Sequence, residues 1–152
     1  MKRSTKFAGA LAAATMAPII AVGAAEADTG TVYFSVSGAD CAIFQDGSLG
    51  CDFARPVQLS YYLGDIYLPL PVTVNEIVID QPWLPAHPTY NPVLRHTMAG
   101  GNPGIATVKT GSGQWGPIIE HAGSSCQVGY LGSFTCQAMG QGFASYGATI
   151  VA

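Results

Sequence analysis

Beyond residue 27 the apolar residues fall in short runs set between glycines and prolines. The chain holds 19 Gly and 10 Pro, and all but two of the Gly and one of the Pro follow residue 27. The longest stretch free of both is Val72–Gln81, ten residues reading VTVNEIVIDQ. That is shorter than an average helix, and Gly and Pro inside a helix cost about 1 and 3 kcal/mol. Six of those ten residues are β-branched, which favours a strand. Strands are predicted over 31–36, 57–63, 65–68, 72–79, 105–109 and 143–151. One short helix, of two turns at most, is expected over Val93–Ala99.

The cysteines add four more strands. CAIFQDGSLGC (Cys41–Cys51) and CQVGYLGSFTC (Cys126–Cys136) share the frame C-x5-G-S-x2-C. With each cysteine pair placed opposite itself, the loops become Gln45-Asp46-Gly47 and Tyr130-Leu131-Gly132. A three-residue hairpin loop ends in a left-handed residue, and glycine takes that conformation without a steric penalty. Four cysteines allow three pairings. The hairpin register favours local bridges, Cys41 with Cys51 and Cys126 with Cys136, over bridges between the frames. Short strands with turn signals at this spacing predict an all-β fold, a small disulfide-stapled antiparallel β-sandwich or barrel.

Residues 1–27 read as a signal peptide. Lys2, Arg3 and Lys6 precede an Ala-rich apolar run, and Ala25-Glu26-Ala27 is an A-x-A cleavage site. An uncleaved anchor is the competing reading, but the run is mostly Ala and carries Pro18. Cleavage leaves one secreted domain, 28–152, with no later segment apolar enough to span a membrane. Of its charged residues, Arg55, Arg95 and Lys109 stand against eight carboxylates, a net charge of −5. Such a domain is a poor match for nucleic acid or an anionic membrane. Export and an even cysteine count suit an oxidising compartment.

The second frame runs on into QAMGQGF, ending Gly140-Gln141-Gly142-Phe143. This resembles the C-terminal pattern of small exported proteins and lipoproteins of mycobacteria and related actinobacteria. The first frame, with Arg55-Pro56 after it, is similar to their N-terminal hairpin. The resemblance implies a secreted actinobacterial β domain and carries no catalytic residues with it.

Sequence motifs for chemistry are missing: no G-x-S-x-G, H-E-x-x-H, P-loop or dinucleotide fingerprint occurs. His87, His96 and His121 are expected to be solvated loop residues, so no metal, cofactor or catalytic residue is assigned. A Ser125, His121 and Asp80 set has no local frame behind it. Glu76 lies within a strand pattern. It is expected to reach solvent through a turn or bulge at Asn75-Glu76, with burial as a candidate acid the alternative.

The segment QPWLPAHPTYNP opens a long loop over 81–104, in which Pro82, Pro85 and Pro88 recur at the polyproline II period. Long loops in compact domains are often functional. Trp83, His87 and Tyr90 are therefore the candidate binding surface, and a Trp83 that plugs the end of the sandwich is the structural alternative. The function expected is a non-catalytic binding domain for an unknown protein or cell-envelope partner. The alternatives are a small exported hydrolase near the histidines, or a carbohydrate-binding module stacking sugars on Tyr61, Tyr62, Tyr67 or Trp115.

Overall fold

A computed structural model describes residues 30–90 and 95–152. The expected signal peptide lies outside the described residues, as do the first two positions of the expected helix at 93–99. Among the described residues ten strands run in chain order: β1 (Val32–Val36), β2 (Ala39–Ile43), β3 (Leu49–Leu63), β4 (Ile66–Ile79), β5 (Gly111–Ser112), β6 (Pro117–His121), β7 (Ser124–Val128), β8 (Phe134–Ala138), β9 (Gln141–Tyr146) and β10 (Thr149–Val151). The one α-helix among the described residues is α1 (Ile105–Val108). No helix among them is long and apolar enough to cross a membrane.

The strands form one curled sheet in the order β1-β2-β3-β10-β9-β8-β7-β6-β5, with β4 paired to β3 off that path. β3 is the spine. Its first half pairs with β2 and its second half with β10, the one parallel pair in an otherwise antiparallel sheet. The curl brings the two ends of the sheet together. Ser124 Oγ donates to the Gly47 carbonyl at 2.6 Å, and His121 Nε2 lies 3.0 Å from the Gly30 carbonyl. Helix α1 packs against both β1 and β6 and fills the remaining gap.

The all-β prediction holds, and both disulfides are local: Cys41–Cys51 and Cys126–Cys136. Each joins residues directly opposite in register. Glycines 47 and 132 are left-handed, with φ of +82° and +77°. The first loop is as expected, and the Asp46 carboxylate caps it. The Ser48 hydroxyl and then the Ser48 backbone N–H hold that carboxylate below the usual range. The second loop differs. Leu131 is also left-handed (φ 54°), and the Ser133 N–H closes the turn on the Tyr130 carbonyl at 3.2 Å.

Several expected boundaries move. The runs at 65–68 and 72–79 are one strand, and 57–63 continues the strand that starts at Leu49. Register shifts absorb the prolines. Between Asp52/Glu76 and Val57/Val74, strand β3 inserts extra residues through Arg55-Pro56, and between Gln58/Thr73 and Ser60/Pro69, β4 inserts Leu70-Pro71-Val72. Bulges and edges are where a sheet tolerates proline. The expected strand at 105–109 is instead α1, because one helical turn places Ile105 and Val108 on the same side against the core. The expected strand at 143–151 turns back at Gly147-Ala148 to become β9 and β10. Residues 95–99 are not helical.

The core lies inside the curl. Phe34, Ile43, Leu49, Leu59, Ile77, Ile79, Ile119, Phe134 and Ile150 are fully buried together with both disulfides. Strand alternation sends the neighbours of these residues to the outer face. On β2–β3–β4 that outer face carries Ala42, Gly50, Asp52, Glu76 and Val78, all of them buried. The cover is the long loop after β4.

Candidate functional site

Asp52 and Glu76 stand directly opposite each other across β3 and β4. Like charges in that position repel, and both residues are buried. The expectation that a turn would release Glu76 to solvent is therefore incorrect. The bulge falls on β3 opposite Asn75, which leaves Asn75 exposed and Glu76 in register with Asp52.

The loop supplies what the two carboxylates need. His96, buried and so also unlike its expected solvated state, places Nδ1 at 3.0 Å from Asp52 Oδ1 and 3.7 Å from Glu76 Oε1. The His96 backbone N–H and the Thr97 hydroxyl both donate to Asp52 Oδ2, at 3.0 and 2.8 Å. On the other side the Thr89 backbone N–H (3.2 Å) and its hydroxyl donate to Glu76 Oε2. One oxygen of each carboxylate thus anchors the loop, and the other points at the imidazole. Glu76 Oε1 is buried with no hydrogen-bond partner among the described residues.

The loop is pinned further along by Asn102. Its side-chain oxygen accepts from Met98 N–H, and its NH2 group lies within bonding distance of the carbonyls of Phe34, Cys41 and His96. The far edge of the His96 ring rests on Gly50, where a Cβ would fall within 2.5 Å of Cδ2 and Cε1. Phe44 meets the ring edge-on, with centroids 5.9 Å apart.

A His–Asp pair invites comparison with a hydrolase, but among the described residues no nucleophile pairs with the ring. The two nearby hydroxyls, Thr89 and Thr97, donate to the carboxylates, and His96 Nε2 faces glycine. Nor do the three histidines converge. His87 sits 3.6 Å from Asp80 and 3.0 Å from the Pro85 carbonyl, and its backbone bridges Val78. Since Asp80 faces His87, the Ser125–His121–Asp80 set is not assembled.

The candidate binding residues separate. Trp83 and Tyr90 are each 75% exposed, which excludes a Trp83 plug, while His87 is half-buried on the β4 edge. Tyr90 adjoins the base of β4, next to Thr73 and Val74. It also borders Tyr61, whose hydroxyl donates to the Ala86 carbonyl at 2.9 Å. Burial first, and then Tyr90, push the Tyr61 phenol up.

A larger apolar surface lies where the loop does not reach. The outer ends of β3 and β4 form an arm around the Gly64-Asp65 turn. On it Tyr62, Leu63, Ile66, Tyr67, Leu68 and Val72 are all exposed, and between Val57 and Val74 the only charge is Asp65. Tyr62 and Tyr67 pair across the strands with centroids 5.5 Å apart. At the arm's root Tyr62 borders a groove of about 520 Å³ with Phe143, Tyr146 and Val151. Neither the Tyr62–Tyr67 contact (53°) nor the Trp115–Tyr130 contact (64°) is coplanar, unlike a sugar-stacking platform.

Comparison with protein-family models, curated proteins and solved structures gave no match.

Proposed function

We propose that this chain is an exported, non-catalytic binding domain that holds a protein partner of the cell envelope on the aromatic side of its β3–β4 arm. One observation carries the reading: six large apolar side chains stand exposed on a single hairpin bearing one charge. Tyr62 and Tyr67 share one face of the arm and Leu63, Ile66 and Leu68 the other, and exposed apolar surface on this scale marks interaction sites. Tyrosine is also enriched at interface centres, where it combines a large apolar body with a polar tip. The arm has no Lys or Arg to meet an anionic lipid or nucleic acid, so the partner surface is itself apolar.

Docking runs through side chains and not through strand addition. Among the described residues β4 pairs with β3 alone, apart from the bridge at His87, yet Pro69 and Pro71 interrupt that open edge. Proline on an edge strand removes donors that an incoming strand would need. The partner is therefore expected to seat against Tyr62, Tyr67 and the groove beside Tyr146. Export accords with the two disulfides. The resemblance to small exported actinobacterial proteins supports the same setting.

Photo-crosslinking in the producing cells tests the proposal. A photoreactive residue at Tyr67 is expected to give one discrete adduct that Tyr62→Asp, on the same face of the arm, abolishes, while the same probe at Ser112, at the other end of the strand order, gives none. Equal labelling from both positions, or none from Tyr67, would refute the arm as the docking surface.

A further inference from the structure

We propose that Asp52, Glu76 and His96 form a binding site for one divalent first-row transition ion of the zinc class, tying the loop after β4 to the sheet. The observations are independent of the arm. Three ligand atoms, one from each residue, lie within 4.8 Å of one another, and all three residues are buried. The imidazole-to-carboxylate edges of 3.0 and 3.7 Å bracket the edge of about 3.4 Å that a tetrahedral ion with bonds of about 2.1 Å requires.

Charge points the same way. Two opposed carboxylates are buried here, and no Lys or Arg among the described residues pairs with either. Buried charges need a partner, and a divalent cation neutralises both. The orphan oxygen gives the second indication. Glu76 is 8% exposed, and its Oε1, which faces the imidazole, is the atom without a hydrogen-bond partner. Every other carboxylate oxygen in the cluster is satisfied.

Metal sites characteristically fix each ligand through a further hydrogen bond. Here Asp52 Oδ2 is held by His96 N–H and Thr97, and Glu76 Oε2 by Thr89, so that Oδ1 and Oε1 remain to coordinate. Coordination through Nδ1 displaces the proton that this nitrogen shares with Asp52, leaving a neutral imidazole protonated at Nε2. One imidazole with two carboxylates suits zinc or manganese better than copper(I), which prefers sulfur, or calcium, which prefers oxygen alone. A pocket of about 220 Å³ lined by Asn75, Glu76, Pro88 and Tyr90 borders the cluster on its Glu76 side.

The test uses the mature chain, stripped with chelator and titrated with Zn²⁺ and separately Mn²⁺. One equivalent is expected to bind, and the melting midpoint should rise by roughly 10 °C at a hundredfold excess over Kd. The double variant His87→Ala/His121→Ala should bind as the parent does, whereas Glu76→Gln should weaken binding at least tenfold. A readout that needs no cluster variant is the ¹⁵N shift of the His96 ring, which should move on Zn²⁺ addition while those of His87 and His121 stay. Failure to take up either ion, loss of uptake in the double variant, or an unmoved His96 signal overturns the proposal. So does Glu76→Gln binding at parental affinity. None of these results depends on the arm, so the binding function stands or falls separately.

Discussion

Replacing Gly50 with Ala tests the whole account of the buried cluster with one methyl group. Gly50 sits on β3 with φ outside the left-handed region, so the backbone itself accepts alanine. The obstacle is the His96 ring, which occupies the space a Cβ needs. A ring on a free side chain would swing aside cheaply. This one is fixed by Asp52 at Nδ1, by its own backbone bond to Asp52, and by Phe44 at its edge. Displacing it forfeits a hydrogen bond to a charged group, worth about 1.5–3 kcal/mol, and leaves Asp52 buried without its main partner. Breaking a buried pair costs about 3–5 kcal/mol in all, so Gly50→Ala is expected to destabilise by roughly 3 kcal/mol or more in urea unfolding. Gly104→Ala is the control. Nothing lies within 4 Å of its added Cβ and its φ is −59°, so the expected change is within about 0.5 kcal/mol. In a His96→Ala background the Gly50 substitution should become nearly free, giving a coupling of about 2 kcal/mol or more. Equal costs in both backgrounds would refute the packing of His96 on Gly50.

Four further outcomes are expected. Gly132→Val should cost about 1–3 kcal/mol in denaturant unfolding from backbone strain, because φ is +77° and no neighbour crowds the added Cβ; Gly129→Val costs less only if the Ser133 hydroxyl, 2.5 Å from the new Cβ, can rotate away. Replacing Cys126 and Cys136 together by Ala should lower stability by about 3 kcal/mol for an eleven-residue loop, and non-reducing peptide maps should show no fragment linking the two cysteine frames. Trp83→Ala should leave unfolding free energy unchanged within about 0.5 kcal/mol, since the ring is 75% exposed; a loss of several kcal/mol would make Trp83 part of the core. The raised Tyr61 phenol gives stability that is intact below the ordinary tyrosine value of about 10 and is lost as pH climbs through the raised value. Ultraviolet titration should therefore show one late tyrosine that disappears in Tyr61→Phe.

The chain alone determined whatever depends on neighbours within about a dozen residues. Glycine and proline spacing ruled out long helices, and the repeated C-x5-G-S-x2-C frame set two hairpins, two disulfides and two left-handed glycines. These are local quantities, decided by φ, loop length and strand register. The buried cluster was not legible in the same way. Asp52 carries no local signal, because strand alternation says only that it faces away from Cys51, not that a loop will cover that face. Glu76 reads as a solvent-seeking residue in an apolar strand, and His96 as one of three loop histidines. Their meeting depends on a β-bulge at Arg55-Pro56, which shifts the register of β3 against β4, and on a loop folding back across 44 residues to Asp52. The prolines misled for the same reason. Proline in isolation signals a break, yet a bulge or an edge strand has no use for its missing N–H, and only the assembled sheet decides which strands have edges. The short helix at Ile105–Val108 is a tertiary outcome too: β-branched residues there favour a strand, but the gap between β1 and β6 admits a single helical turn.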